Sequence, residues 1–226
     1  MTRFIYTATG CVRCRITKRF MKENAIGYEE HDIKADGKDF FAQFYRANRD
    51  KIFRDQDGVE FPVFTDGKVI RQGVSVVIGY LTASDDLDGF IGRSKLHGEW
   101  IDGFNVAGGH PENSDSLMRV MAYLKQNGLK IQVSTNGRNA WILQSVLDQN
   151  LADRVIADIK GPAALYGPLT GAAIDEAELK QTIVLAVQFS EYQFYSTVAP
   201  LKREDGTVSY LTPEEIGETA RLIEEA

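Results

Sequence analysis

Only two cysteines occur in the 226 residues, Cys11 and Cys14. That scarcity excludes a framework of several disulfides, and it excludes any iron–sulfur cluster held by three cysteinates of this chain alone. Histidine is also scarce. A tetrahedral zinc site needs four ligands, and beyond the two cysteines only His31, His97 and His110 are available. Long apolar runs are missing: Val74 to Leu81 is typical, far short of the roughly 20 residues that cross a bilayer. No apolar h-region precedes the strand-like residues that begin at Arg3, so the expected setting is cytoplasmic, away from membranes. No strong basic excess exists either. Residues 1–95 hold 16 Lys+Arg against 14 Asp+Glu, and residues 96–226 hold 10 against 18. Neither balance is that of a nucleic-acid binder.

The two cysteines stand together, as Cys11-Val12-Arg13-Cys14, directly after the apolar run Phe4-Ile5-Tyr6 and the turn Thr9-Gly10. Arg13 to Glu23 carries apolar and charged residues at helical spacing, with Ile16, Arg19/Phe20 and Glu23 in register. A strand, a tight turn and a Cys-x-x-Cys opening a helix is the pattern of a dithiol redox site. A thiolate at a helix N-terminus is stabilised by unpaired backbone N–H groups and the helix dipole, by up to about 1 kcal/mol or somewhat more. Arg13, Arg15 and Lys18 are expected to add positive potential. Cys11, the more exposed member, would attack a disulfide, and Cys14 would resolve the mixed disulfide. Two other readings of the pair stay open: half of a zinc site, and a [2Fe–2S] cluster shared between two chains. His31, at the end of a predicted strand, reads as a surface or core-edge residue.

The rest of the first segment reads as strand Tyr28–Ile33, a helical stretch over 39–53, strand Glu60–Phe64, a hairpin turn at Asp66-Gly67 into Lys68-Val69-Ile70, and a last helix after Gly73. The order is β-α-β-α-β-β-α. With Cys-x-x-Cys at the first helix, and with Ile5-Tyr6-Thr7 and Thr17-Lys18-Arg19 around it, residues 1 to about 82 resemble the glutaredoxin branch of the thioredoxin fold. The closest likeness is to the redoxins that supply electrons to ribonucleotide reductase. The resemblance implies a cis-proline segment at Phe61-Pro62-Val63 facing the dithiol, a protein disulfide or reductase partner, and glutathione as a possible reductant. No bound cofactor is required for the dithiol chemistry. Lys38 to Val59 is longer than in that family, which bears on the choice of partner.

Residues 82–100 are polar and turn-rich, and they mark the expected boundary between a domain over 1–95 and a second over 96–226. The second segment alternates short strands and helices, ending in a strand over Tyr192–Val198 and a helix over Pro213–Glu225 with Thr212 at its N-cap and Glu215 three residues later, which predicts a parallel sheet with ligands at the C-terminal strand ends. Those ends carry Gly108-Gly109, Thr135-Asn136-Gly137 and Asp158-Ile159-Lys160. The words Val106-Ala107-Gly108-Gly109-His110-Pro111, Ser134-Thr135-Asn136-Gly137 and Ala157-Asp158-Ile159-Lys160-Gly161-Pro162 resemble the radical SAM family. So do Leu169-Thr170-Gly171 and Tyr195-Ser196-Thr197-Val198-Ala199-Pro200, and in this order the set is similar to the activating enzymes of glycyl-radical proteins such as anaerobic ribonucleotide reductase. The likeness implies that Gly108 and Gly109 line a pocket for S-adenosylmethionine, with Thr135, Asn136, Asp158 and Lys160 near its ribose or carboxylate. The departures weigh as much. His110 stands where the family has an acidic residue, and the Cys-x-x-x-Cys-x-x-Cys loop is absent.

The expectation is therefore an α/β chain: a thioredoxin-like (glutaredoxin) domain followed by an incomplete parallel β/α radical-SAM-like half barrel. Its expected function is thiol–disulfide exchange through Cys11 and Cys14 with Pro62 beside them, the second part serving as a docking module without radical SAM chemistry of its own. The alternatives are an accessory or electron-delivery protein for an anaerobic ribonucleotide reductase or its activase, and an iron–sulfur carrier. The exposed edges of an incomplete parallel sheet also predict a homo-oligomer.

Overall fold

A computed structural model describes residues 2–203 and 205–225. The first part of the chain runs β1 (Phe4–Thr7), α1 (Val12–Glu23), β2 (Glu29–Asp32), α2 (Lys38–Ala47), β3 (Arg54–Asp55), β4 (Gly58–Val59), β5 (Val63–Thr65), β6 (Ile70–Gln72) and α3 (Val74–Ala83). Four of these strands form a mixed sheet in the order β2-β1-β5-β6. β1 lies parallel to β2 and antiparallel to β5, and β5 is antiparallel to β6. β1 is short and apolar because it sits centrally, with Ile5 and Tyr6 buried. The helical stretch predicted over 39–53 ends at Ala47 as α2, and the rest of the long middle up to Val59 holds a turn and a small β3–β4 hairpin that the sequence pattern did not show.

The second part runs β7 (Trp100–Asn105), α4 (Ser114–Gln126), β8 (Lys130–Thr135), α5 (Ala140–Asp148), β9 (Arg154–Asp158), α6 (Tyr166–Thr170), α7 (Glu176–Ala186), β10 (Glu191–Tyr195), β11 (Leu201–Lys202), β12 (Val208–Ser209) and α8 (Pro213–Glu224). The sheet order is β10-β9-β8-β7, and every neighbouring pair is parallel. Alternation decides the faces. Ile131, Val133 and Thr135 of β8 are buried toward the helices, while Lys130, Gln132 and Ser134 are not. The opposite face continues through Arg154 and Ile156 to Glu191, Gln193 and Tyr195, and is half-exposed or exposed. α8 carries the capping box expected from Thr212 and Glu215, each side chain bonding the other's backbone N–H.

The stretch 82–100 is a packed connection. A 3₁₀ turn over Ser84–Leu87 leads to Phe90, which is fully buried, and Ile91 bridges to Phe104 of β7. One apolar core runs across it: Ile16 of α1 and Val74 and Ile78 of α3 belong to the same buried cluster as Ile101, Phe104, Leu117 and Met121. The dithiol helix α1 docks along its length on the second part. Phe20 meets Tyr123 edge-on at 4.9 Å, Arg19 donates to Asn127 Oδ1 at 2.8 Å, and the Tyr123 hydroxyl donates to Glu23 at 2.9 Å. With burial, that bond to the Glu23 carboxylate pushes the Tyr123 phenol up to about 12.

Candidate functional site

Cys11 and Cys14 are joined in a disulfide, with their Cα atoms 5.3 Å apart. Cys11 is the N-cap of α1, and its Sγ accepts the backbone N–H of Cys14 at 3.1 Å. That N–H is one of the helix-end donors with no intrahelical acceptor, so it is available to stabilise negative charge on this sulfur. Cys11 is half-buried, whereas Cys14 is 2% exposed, which matches the expected order of accessibility. Val12 beside them is 48% exposed. The carbonyl oxygen of Phe61 lies 3.9 Å from Cys11 Sγ, and the Phe61–Pro62 peptide is cis. Pro62 is buried, and its carbonyl accepts from Gly73 N–H at 2.9 Å. The structure thus brings Cys11, Cys14 and Pro62 into one place.

The electrostatic expectation for this site needs correction. Arg13 does not offer a free charge to the sulfurs. Its guanidinium pairs with Glu60 at 3.0 Å and donates to the carbonyls of Leu96 and Trp100, each at 2.7 Å. Lys18 pairs with Glu30 at 2.6 Å. Arg15 is exposed, and it lines an open groove along α1 with Lys18, Arg19 and Lys22. The basic character of α1 is therefore carried on the groove side of the helix, not on the side that faces Glu60.

Glu60 was not singled out in the sequence, yet it is the most constrained acid near the dithiol. Its side chain is 15% exposed. Its Oε2 is buried and has no hydrogen-bond partner among the described residues. Burial pushes the carboxyl up, against the pull of Arg13 and Arg93. Glu60 and Arg13 line a recess of about 170 Å³ together with Arg93, Lys95, Leu96 and His97. A run reading Glu-Phe-Pro-Val-Phe looks like an ordinary strand entry; the only available signal was a charge directly before an apolar pair.

The other predicted residues lie at the far end of the parallel sheet. Arg13 grips the start of β7, whereas Gly108 and Gly109 follow its end, about 17 Å away at roughly 3.3 Å per residue. Gly108 and Gly109 are packed against Gly89 and Phe90. A Cβ on Gly109 would fall inside the Phe90 ring's contact distance, and one on Gly108 would collide with the Gly89 carbonyl. The connection over Gly89 and Phe90 thus backs this glycine pair on one side, while Gly108 itself stays exposed and Gly109 half-buried. His110 next to it is exposed, 3.9 Å from Glu112. Thr135 bonds back to Gly137 N–H at 3.1 Å, Thr182 donates to the Gly137 carbonyl at 2.7 Å, and Asn136 Oδ1 accepts from Arg138 N–H at 3.3 Å. Asp158 pairs with Lys160 and accepts from Thr197 N–H at 3.0 Å and Thr197 Oγ1 at 2.8 Å. Tyr166, fully buried, accepts from Lys160 N–H at 3.3 Å, and burial raises its phenol to about 12. These residues form one ordered strand-end network, separate from the dithiol.

A search of curated proteins finds a proposed glycyl-radical enzyme activating enzyme of Methanocaldococcus jannaschii, 25% identical over 86 residues. The match takes in 38% of this chain and 36% of that protein, so the chain spans about a third of the relative's length. No family model and no solved structure matches.

Proposed function

We propose that this protein is a thiol–disulfide oxidoreductase of glutaredoxin type, built on a radical-SAM-like scaffold that no longer carries the cluster. The observation that supports it is the Cys11–Cys14 disulfide at the N-cap of α1, with Cys11 at the surface, Cys14 beneath it and the Phe61 carbonyl alongside. In the reduced protein the Cys11 thiolate attacks one sulfur of a partner disulfide. The other partner sulfur leaves as a thiolate and takes a proton from solvent. Cys14, deprotonated, then attacks Cys11, re-forming the disulfide and releasing the second partner thiol. Two electrons pass to the partner, and a thiol reductant of the glutathione class restores the dithiol. The Cys14 N–H that meets Cys11 Sγ stabilises the attacking thiolate.

The groove along α1 bears on partner choice. Arg15, Arg19 and Lys22 leave positive charge on that face of the dithiol helix, beside Glu23 and the Lys18–Glu30 pair, which suits a partner with acidic residues around its disulfide. The likeness to an activating enzyme favours a partner within a glycyl-radical system, such as an anaerobic ribonucleotide reductase or its activase. A second reading, electron delivery to such an activase, rests on that same likeness and uses the same dithiol.

No step through S-adenosylmethionine belongs to this reading. Reductive cleavage needs a cluster held by three cysteinates, and the chain has two cysteines, at the other end of the sheet from Gly108 and Gly109. The test is disulfide reduction by the reduced protein and by Cys11→Ser. Turnover lost in the variant supports the reading; equal turnover overturns it.

A further inference from the structure

The two four-stranded sheets have four edges, and three of them are guarded. β2 reads Glu-Glu-His-Asp, and β6 carries Arg71. On β7 a register shift and Gly103 interrupt the edge, while Ile91 and Gly92 bond across it. Charges, bulges and covering chain are the usual means of keeping edges from pairing. Among the described residues β10 has no bulge and no covering chain along its outer side, and its one charge, Glu191, is bound by Arg154 of the inner neighbour β9. It is regular, it ends its sheet, and it contains neither lysine nor proline. Tyr192 is 52% exposed.

The backbone phase of β10 is set by its inner neighbour. The Tyr195 carbonyl accepts from Ile159 N–H at 2.9 Å, so it points toward β9. Alternation then turns the N–H and C=O of Tyr192 and Phe194 outward. An antiparallel pairing of two β10 strands about Gln193 matches this phase. It sets Tyr192 opposite Phe194 of the partner subunit, twice, and those outward groups exchange about four main-chain hydrogen bonds. Gln193 meets Gln193 of the partner subunit, amide to amide. Tyr195 stands opposite Glu191 of the partner subunit, so a phenol faces a carboxylate and no two like charges oppose. This register uses the whole strand, and the pairing closes on a two-fold axis perpendicular to the sheet. Both sets of helices then stay on the same side of the joined sheet.

We propose that β10 is a homodimerisation edge: two copies of this chain join their parallel sheets into one eight-stranded sheet through antiparallel β10 pairing about Gln193. The occupant is a second copy because the strand is complementary to itself in both hydrogen-bond phase and charge.

Sedimentation velocity on the full chain tests it, at concentrations up to about 100 μM, a hundredfold above a micromolar Kd. The expected mass is twice the 25.2 kDa of one chain. Tyr192→Pro removes an outward N–H that the fold itself does not use, so it keeps the native circular dichroism and thermal transition while sedimenting as a monomer. Tyr192→Lys, which adds an edge charge, gives the same result if proline disturbs folding. A wild-type protein that is monomeric throughout overturns the proposal. So does a folded Tyr192 variant that remains a dimer, because another surface then holds the copies together.

Discussion

The guanidinium of Arg13, lying between the two cysteines in sequence, donates to the carbonyl of Trp100, 2.7 Å away at the start of β7. With Leu96 and Glu60 as its other acceptors, Arg13 ties the dithiol loop to the parallel sheet. Five donors in a rigid fork suit three acceptors of different origin, and a lysine ammonium does not match that geometry.

Arg13→Ala therefore leaves Glu60 buried without its hydrogen-bonded partner, with Arg93 as the remaining nearby cation. The expected loss is about 3 kcal/mol in urea unfolding, within the range for breaking a buried pair. Hydrogen exchange over residues 93–100 speeds up in parallel. Arg13→Lys recovers only part of both effects. Unchanged exchange over 93–100 in Arg13→Ala would show that the clamp does not hold this segment.

Glu60 makes stability depend on pH with a defined sign. Its folded carboxyl is raised above the ordinary value of 4.5 by burial. The unfolded chain therefore ionises first, and stability falls as pH rises from about 4.5 through the raised folded value. Glu60→Gln does not titrate, so the difference in unfolding free energy between the two proteins moves against wild type across that window. A difference that moves the other way would mean that Arg13 outweighs desolvation.

Gly109 and Phe90 are expected to be coupled. Gly109→Ala overpacks the ring at a cost of about 1–3 kcal/mol. Phe90→Ala alone costs about 3–5 kcal/mol through the cavity it leaves. In the double variant the new methyl sits in that cavity, so the summed cost falls short of additivity by about 1 kcal/mol or more. Strict additivity in a double-mutant cycle would remove the contact from the account.

Much of this was legible in the sequence, for physical reasons that can be named. The Cys-x-x-Cys helix, the parallel alternation after residue 100 and the Thr212–Glu215 capping box rest on local patterns, and local patterns survive into the fold. Strand ends were less legible. Tyr192–Val198 shortens to Glu191–Tyr195 because Ser196 and Thr197 turn to bond Ile159 and Asp158 instead of continuing the ladder. The role of Arg13 was hidden. Its acceptors Leu96 and Trp100 are more than 80 residues away, and no spacing rule reports a contact of that span. The packing of Phe90 on Gly109 was hidden for the same reason, because the polar look of residues 82–89 fits a domain boundary and a loop within one body equally well.

The central claim is tested most directly by titrating the Cys11/Cys14 couple against a series of glutathione buffers and counting free thiols. The account predicts a reversible two-electron transition between roughly −180 and −270 mV, the span of working redoxins. A pair with no reversible transition in that span would contradict it.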